Sequence, residues 1–152
     1  MCAFVVDKTM TRVDFYILGS SEPRERERFA CRLADKAYRL GHSVFIHAGS
    51  QRQARLLDDL LWTFQQNSFV PHALYHEAGD EPPPVLLGHD AEPDAGLEVL
   101  INLAPEVPLF FSRFERVAEL VDQDPEVRSL GRSRYSFYKE RGYPLETHNL
   151  DP

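Results

Sequence analysis

Apolar residues alternate in one stretch of the chain and recur at four-residue steps in the next. Val13-Asp14-Phe15-Tyr16-Ile17-Leu18 alternates and is rich in β-formers, which predicts a strand ending at Gly19. Ser21 and Pro23 then open a helix to about Leu40. Phe29, Leu33 and Ala37 fall at four-residue steps on its buried face, beside Ala30 and Ala34, and Gly41 closes it. Val44-Phe45-Ile46 predicts a short buried strand. Ser50 with Gln53 three residues on is a capping-box pattern for a second helix, whose core face is Ala54, Leu57, Leu60 and Leu61. Strand, helix, strand, helix at this spacing predicts right-handed βαβ units and a largely parallel sheet.

Beyond Trp62 the pattern is irregular. Phe69-Val70-Pro71 is extended, since residues before a proline avoid the helical region. Pro82-Pro83-Pro84 makes a stiff loop, Val85-Leu86-Leu87 a short strand, His89 to Gly96 an acidic loop, and Leu97 to Leu103 a further buried strand. Phe110, Phe111, Phe114, Val117, Ala118 and Val121 recur at helical spacing and predict a third helix. A fourth starts at Asp124 as N-cap with Pro125 at its first position and stops at Gly142 and Pro144. The expected fold is a single three-layer α/β/α domain with a mixed, mostly parallel sheet, Rossmann-like without a nucleotide site.

Composition narrows the chemistry. At 152 residues with ten Phe, the chain is long enough for one core. Cys2 and Cys31 form no CxxC, which argues against a disulfide scaffold or a zinc site and suits a reducing compartment. No apolar run approaches the ~18 residues of a membrane span, and residues 1–9 do not form a signal peptide, so a cytoplasmic protein with no membrane contact is expected. The first strand-to-helix turn reads Leu18-Gly19-Ser20-Ser21-Glu22-Pro23, with one glycine and no lysine, and Glu22 would repel a phosphate. His72 and His76 stand four apart outside any HExxH. No serine or cysteine has the context of a nucleophile. These observations predict no cofactor, no metal and no catalytic residue.

Net charge is −7, and the seven acidic residues between Glu77 and Glu98 meet no lysine or arginine there. Little or no direct nucleic-acid binding follows. Against this background Arg128 to Tyr143 carries five basic residues and one acid, Glu140. Arg128, Arg132, Tyr135 and Lys139 recur at steps of four, three and four, one narrow helical stripe, while Val127, Leu130, Phe137 and Tyr138 supply an apolar side. Two readings stay open: a solvated helix face, or a site for an acidic peptide.

Four blocks in order then resemble the chi subunit family of bacterial DNA polymerase III holoenzyme, from Met10 to about Leu145. They are Val13-Asp14-Phe15-Tyr16-Ile17-Leu18; Leu57-Asp58-Asp59-Leu60-Leu61-Trp62 continued by Ser68-Phe69-Val70-Pro71-His72; Leu100-Ile101-Asn102-Leu103; and Arg132-Ser133-Arg134-Tyr135 with Tyr138 and Gly142. The resemblance implies an accessory subunit with no catalytic site. It would pair with a psi-like subunit of the clamp loader, or with an XPD-like helicase in place of psi. It would also bind the acidic C-terminal tail of single-stranded DNA-binding protein, an aspartate-rich segment ending in an aromatic residue. Carried over by position, the tail pocket is Val121, Arg128, Arg132, Tyr135 and Ser136. A lysine is familiar at Ser136, a loss for which Lys139, one turn along, can compensate; Arg128 also replaces a familiar lysine and keeps its charge. The psi- or helicase-facing surface would include Trp62 and Phe69 with Val70 and Pro71; for Trp62 a core anchor is the other open reading. The acidic loop Asp90 to Asp94 departs from a more basic family loop, which counts against nucleic-acid contact there. The competing reading from another class is a nucleotide-dependent enzyme with a Rossmann-like site.

The matching region divides the chain into an extension, residues 1–9, and a domain, residues 10–152. A chain starting at Met10 is expected to melt at the temperature of the full chain, as for an untethered terminus. A drop of several degrees by calorimetry would instead place Phe4, Val5 and Val6 in the core.

Overall fold

The computed structural model describes residues 11–66, 69–93 and 98–150; the extension 1–9 lies outside them. Seven strands form one sheet: β1 (Arg12–Ile17), β2 (Val44–His47), β3 (His72–Leu74), β4 (Val85–Gly88), β5 (Val99–Asn102), β6 (Arg116–Val121) and β7 (Leu145–Asn149). Their order across the sheet is β3-β4-β2-β5-β6-β1-β7. Three helices pack on it: α1 (Glu25–Arg39), α2 (Gln51–Thr63) and α3 (Pro125–Glu140).

Every strand pair is parallel, so the expected mixed sheet is corrected to an all-parallel one. The physical reason lies in the connections. Each is a helix or a loop long enough to carry the chain back, and even β3 to β4 runs through a 3₁₀ turn, Tyr75–Glu77, and the proline loop. The edge strands are His72-Ala73-Leu74, only three residues long, and Leu145-Glu146-Thr147-His148-Asn149, mostly polar, and neither is legible from alternation.

The predicted third helix is also corrected. Phe111–Arg113 is a single 3₁₀ turn and Arg116–Val121 is the strand β6, inserted between β5 and β1. Helical spacing arose because a turn and a strand buried on both faces were read as one element. Val117 and Val121 face the α3 side and Ala118 and Leu120 the α1–α2 side. Glu119, between them, is wholly buried.

Helix ends follow local chemistry. Ser50 Oγ accepts the Gln53 N–H at 3.0 Å, while Gln53 Oε1 accepts the N–H of Gly49, one residue earlier than in the usual box. Asp124 Oδ1 accepts the Glu126 N–H at 3.1 Å, with Pro125 in the first turn. Gly142, at φ 79°, provides the left-handed residue that ends α3. Helix α1 begins two residues later than Pro23, because Arg24 takes φ 66° and makes no side-chain cap.

Two apolar cores flank the sheet. Helices α1 and α2 cover one face, where Cys31 is buried and its thiol is pushed up to about 12 by desolvation. Helix α3 and the aromatic segment Phe110, Phe111 and Phe114 cover the other. There Phe15 meets Tyr135 and Tyr138 edge-to-face, at centroid distances of 5.3 and 6.0 Å.

Candidate functional site

Helix α3 lies against β6 at a point where a side chain would not fit. A Cβ on Gly131 would stand 2.8 Å from Val121 Cγ2, so glycine lets helix and strand approach closely. One turn on, Arg134 is 4% exposed, and its Nε donates to Glu119 Oε1 at 2.8 Å. Tyr138 donates its hydroxyl to Glu119 Oε2 at 2.6 Å, and Asn102 Nδ2 lies 3.0 Å from the same oxygen. Burial pushes the Glu119 carboxyl up from its ordinary value, against the pull of Arg134, Tyr138 and Asn102 toward the charged form. Arg134 Nη1 also donates to the Pro105 carbonyl, and Asn102 Nδ2 to that of Glu106, which ties the loop after β5 to the helix.

Gly131, Arg134 and Tyr138 thus form the buried face of α3 and turn the basic stripe outward. Arg128, Arg132, Ser136 and Lys139 are exposed, and Tyr135 is half-buried between stripe and core. Among the described residues, Arg128, Arg132 and Lys139 form no ion pair. Two of the five cations of this segment do not belong to the stripe. Arg134 is buried, and Arg141 folds over the Phe137 ring at 3.7 Å from its centroid. Arg134 was visible in a matching block, but its role was missed; its spacing from Val127 and Tyr138 places it on the inner face. Val121, expected in the tail pocket, is 4% exposed and packs beneath Gly131.

The second surface lies at the far end of α2. Trp62 is 57% exposed and Phe69 63%, their ring centroids 5.9 Å apart. That exposure removes the core-anchor reading of Trp62. The Trp62 ring also lies 4.6 Å from that of His72, centroid to centroid, and the His72 ring nitrogens face the carbonyl oxygens of Val70 and Asp58. Val70 is fully buried in the core with Leu57 and Leu61, so its proposed partner contact is corrected to a structural role. Buried Val70 holds the neighbouring Phe69 outward, and Pro71 is half-buried.

Two polar places hold less. A hollow of about 460 Å³ borders the carboxyl ends of β2 and β4, where an α/β fold holds a nucleotide. Asp90, Glu92 and Glu106 line it and oppose a phosphate, and desolvation pushes His47, at its wall, down to about 4. On β1 and β7, Asp14, Glu146 and His148 cluster, but Arg116 bonds Asp14 at 3.0 Å and Arg12 bonds Glu146 at 2.6 Å. Those guanidiniums already neutralise the carboxylates a cation would need.

Fold and surfaces define a Rossmann-like α/β domain whose ordered chemistry lies on helix faces rather than at the strand ends. Its fold matches the crystal structure of T4 UvsW with a TM-score of 0.67 at 10% identity, covering 93% of this chain and 42% of that one. Saccharomyces cerevisiae Dbp5 bound to RNA and ADP BeF3 matches at 0.60 and 12%, with the same coverage. At such identities the likeness concerns the fold alone. Sequence comparison reaches further. The family model of the DNA polymerase III chi subunit, HolC, matches residues 10–146. DNA polymerase III subunit chi of Pseudomonas aeruginosa is 45% identical over 141 residues, 93% of this chain and 98% of that one. The Haemophilus influenzae subunit is 34% identical over 137 residues, 90% and 95% of the two chains. The chain belongs to the DNA polymerase III chi subunit family, and so to the machinery of bacterial DNA replication. No described helix is long and apolar enough to cross a membrane.

Proposed function

We propose that this chain is a non-catalytic connector of the polymerase machinery. One surface would hold a psi-like subunit of the clamp loader and the other the acidic C-terminal tail of single-stranded DNA-binding protein. The observation that carries the reading is the outward stripe of α3: unpaired Arg128, Arg132 and Lys139 beside the half-buried ring of Tyr135, on a chain of net charge −7. Such a stripe suits an aspartate-rich peptide ending in an aromatic residue. Its carboxylates meet the cations and its ring packs on Tyr135, with Val121 as the floor beneath and Ser136 leaving room where a longer side chain is familiar. Titration of the chain with a synthetic tail peptide in a calorimeter tests this; no heat at low salt would return α3 to a solvated face.

Trp62 and Phe69 would form the psi-facing surface, with Pro71 at its margin and an XPD-like helicase as the alternative occupant. Exposed paired aromatics are typical of binding hot spots, where truncation costs about 2 kcal/mol or more of binding. Phe69→Ala is therefore expected to lose co-purification with the psi subunit while its own melting temperature changes little. A melting loss of the size of a core deletion, about 3–5 kcal/mol, would put Phe69 in the fold instead.

A further inference from the structure

Helix α1 carries a second basic stripe, on the face of the sheet opposite α3. Arg28, Arg32, Lys36 and Arg39 follow at steps of four, four and three, and all are exposed. Arg32 reaches Glu25 at 3.4 Å and Arg39 reaches Asp35 at 2.9 Å, whereas Arg28 and Lys36 form no ion pair among the described residues. Lys36 and Leu40 stand between two hollows. One, of about 160 Å³, is lined by Leu33, Ala37, Leu40 and Val99 together with Lys36 and the Asp14–Arg116 ion pair. The other is shallow and runs from Arg32, Lys36, Arg39 and Leu40 to Gln65, three residues beyond Trp62. Four large apolar side chains are exposed among the described residues, and three of them, Leu40, Trp62 and Phe69, lie at this end of the molecule.

We infer that the C-terminal half of α1 continues the psi-facing surface and holds an acidic segment of that same partner. Aspartates or glutamates of the segment lie over Lys36, Arg32 and Arg39, and one apolar side chain enters the hollow beside Leu40. A space of 160 Å³ suits a group about the size of benzene, which fills a cavity of ~150 Å³. The inference rests on the reading of Trp62 and Phe69 as partner-facing. Charge and shape favour a peptide over single-stranded nucleic acid. The stripe from Arg28 to Arg39 is only ~16 Å long, at 1.5 Å per residue, too short to neutralise many phosphates. The Trp62 and Phe69 rings are tilted by 46°, which is not a stacking platform for successive bases. A second copy of this chain, docking its own acidic run, would make a head-to-tail contact that need not close.

The test uses the full chain and the psi subunit encoded in the same genome. Lys36→Glu should weaken their complex at least tenfold at low salt, with the deficit shrinking as salt rises. Lys36→Arg should bind normally and both variants should melt like the parent. Water-soluble carbodiimide should activate an aspartate or glutamate of psi for attack by the Lys36 amine, releasing the urea and leaving an amide cross-link that is located by mass spectrometry. If Phe69→Ala loses psi while Lys36→Glu binds within twofold of the parent, the α1 stripe is a solvated face and the Trp62–Phe69 reading stands. If Phe69→Ala binds psi fully, that reading falls and the inference with it. Coupling of Lys36 to a second copy of this chain, or oligothymidylate binding abolished by Lys36→Glu, would also overturn it.

Discussion

Arg132→Glu is expected to remove binding of the acidic tail peptide. Charge-assisted hydrogen bonds contribute about 1.5–3 kcal/mol each. Two of them with one packed ring suffice for micromolar affinity, about −8 kcal/mol, after ordering costs. Reversal at Arg132 deletes one such bond and sets a carboxylate between Arg128 and Lys139, so the loss exceeds a single bond. Arg24→Glu, at the start of α1 on the other side of the sheet, should leave the tail affinity unchanged. The wild-type affinity should fall with salt, because Arg128, Arg132 and Lys139 are exposed and screened. Calorimetry at low salt decides: normal binding by the Arg132 variant would show that the stripe holds no peptide.

Arg134→Ala should have the largest effect on folding. It leaves the Glu119 carboxylate buried without its cation, a loss of about 3–5 kcal/mol. For a chain of this size that lowers the melting temperature by roughly 6–20 °C, at about 2–4 °C per kcal/mol. The deficit should shrink as pH falls from neutrality toward the ordinary glutamate value, about 4.3. The sign follows from burial, which raises the folded-state value; the folded variant then takes up a proton more readily than the unfolded chain. Replacing the pair together, Glu119→Leu with Arg134→Met, should recover only part of the loss: apolar groups can substitute for a buried ion pair, but the Tyr138 hydroxyl and the Asn102 amide lose their acceptor. A single variant that melts like the parent would mean that the pair does not determine where α3 sits.

Much of the architecture was legible because its signals are local. Alternation marked β1, four-residue steps marked α1 and α2, and the caps at Ser50 and Asp124 closed hydrogen bonds within three residues. The basic stripe of α3 was legible for the same reason: residues at steps of four, three and four must share a face of any helix. Arg116–Val121 failed because a central strand buried on both faces has no polar alternation, even though it carries the wholly buried Glu119. Helical spacing then fitted by coincidence with the turn before it.

The sequence by itself determined the α/β class, the ends of α2 and α3, the outward charge pattern of α3 and the family blocks. Each of these depends on neighbours within a turn or a strand. Only the tertiary structure decided the all-parallel order, since strand pairing joins residues far apart, as Arg12 with Arg116 and Val13 with Leu145. It likewise decided which members of the candidate surfaces reach solvent. Val70 and Val121 are apolar like Trp62 and Phe69, and Arg134 is as charged as Arg132. Burial separated them because the cores claim Val70 and Val121, and because Glu119, brought by a strand, neutralises Arg134 inside the protein.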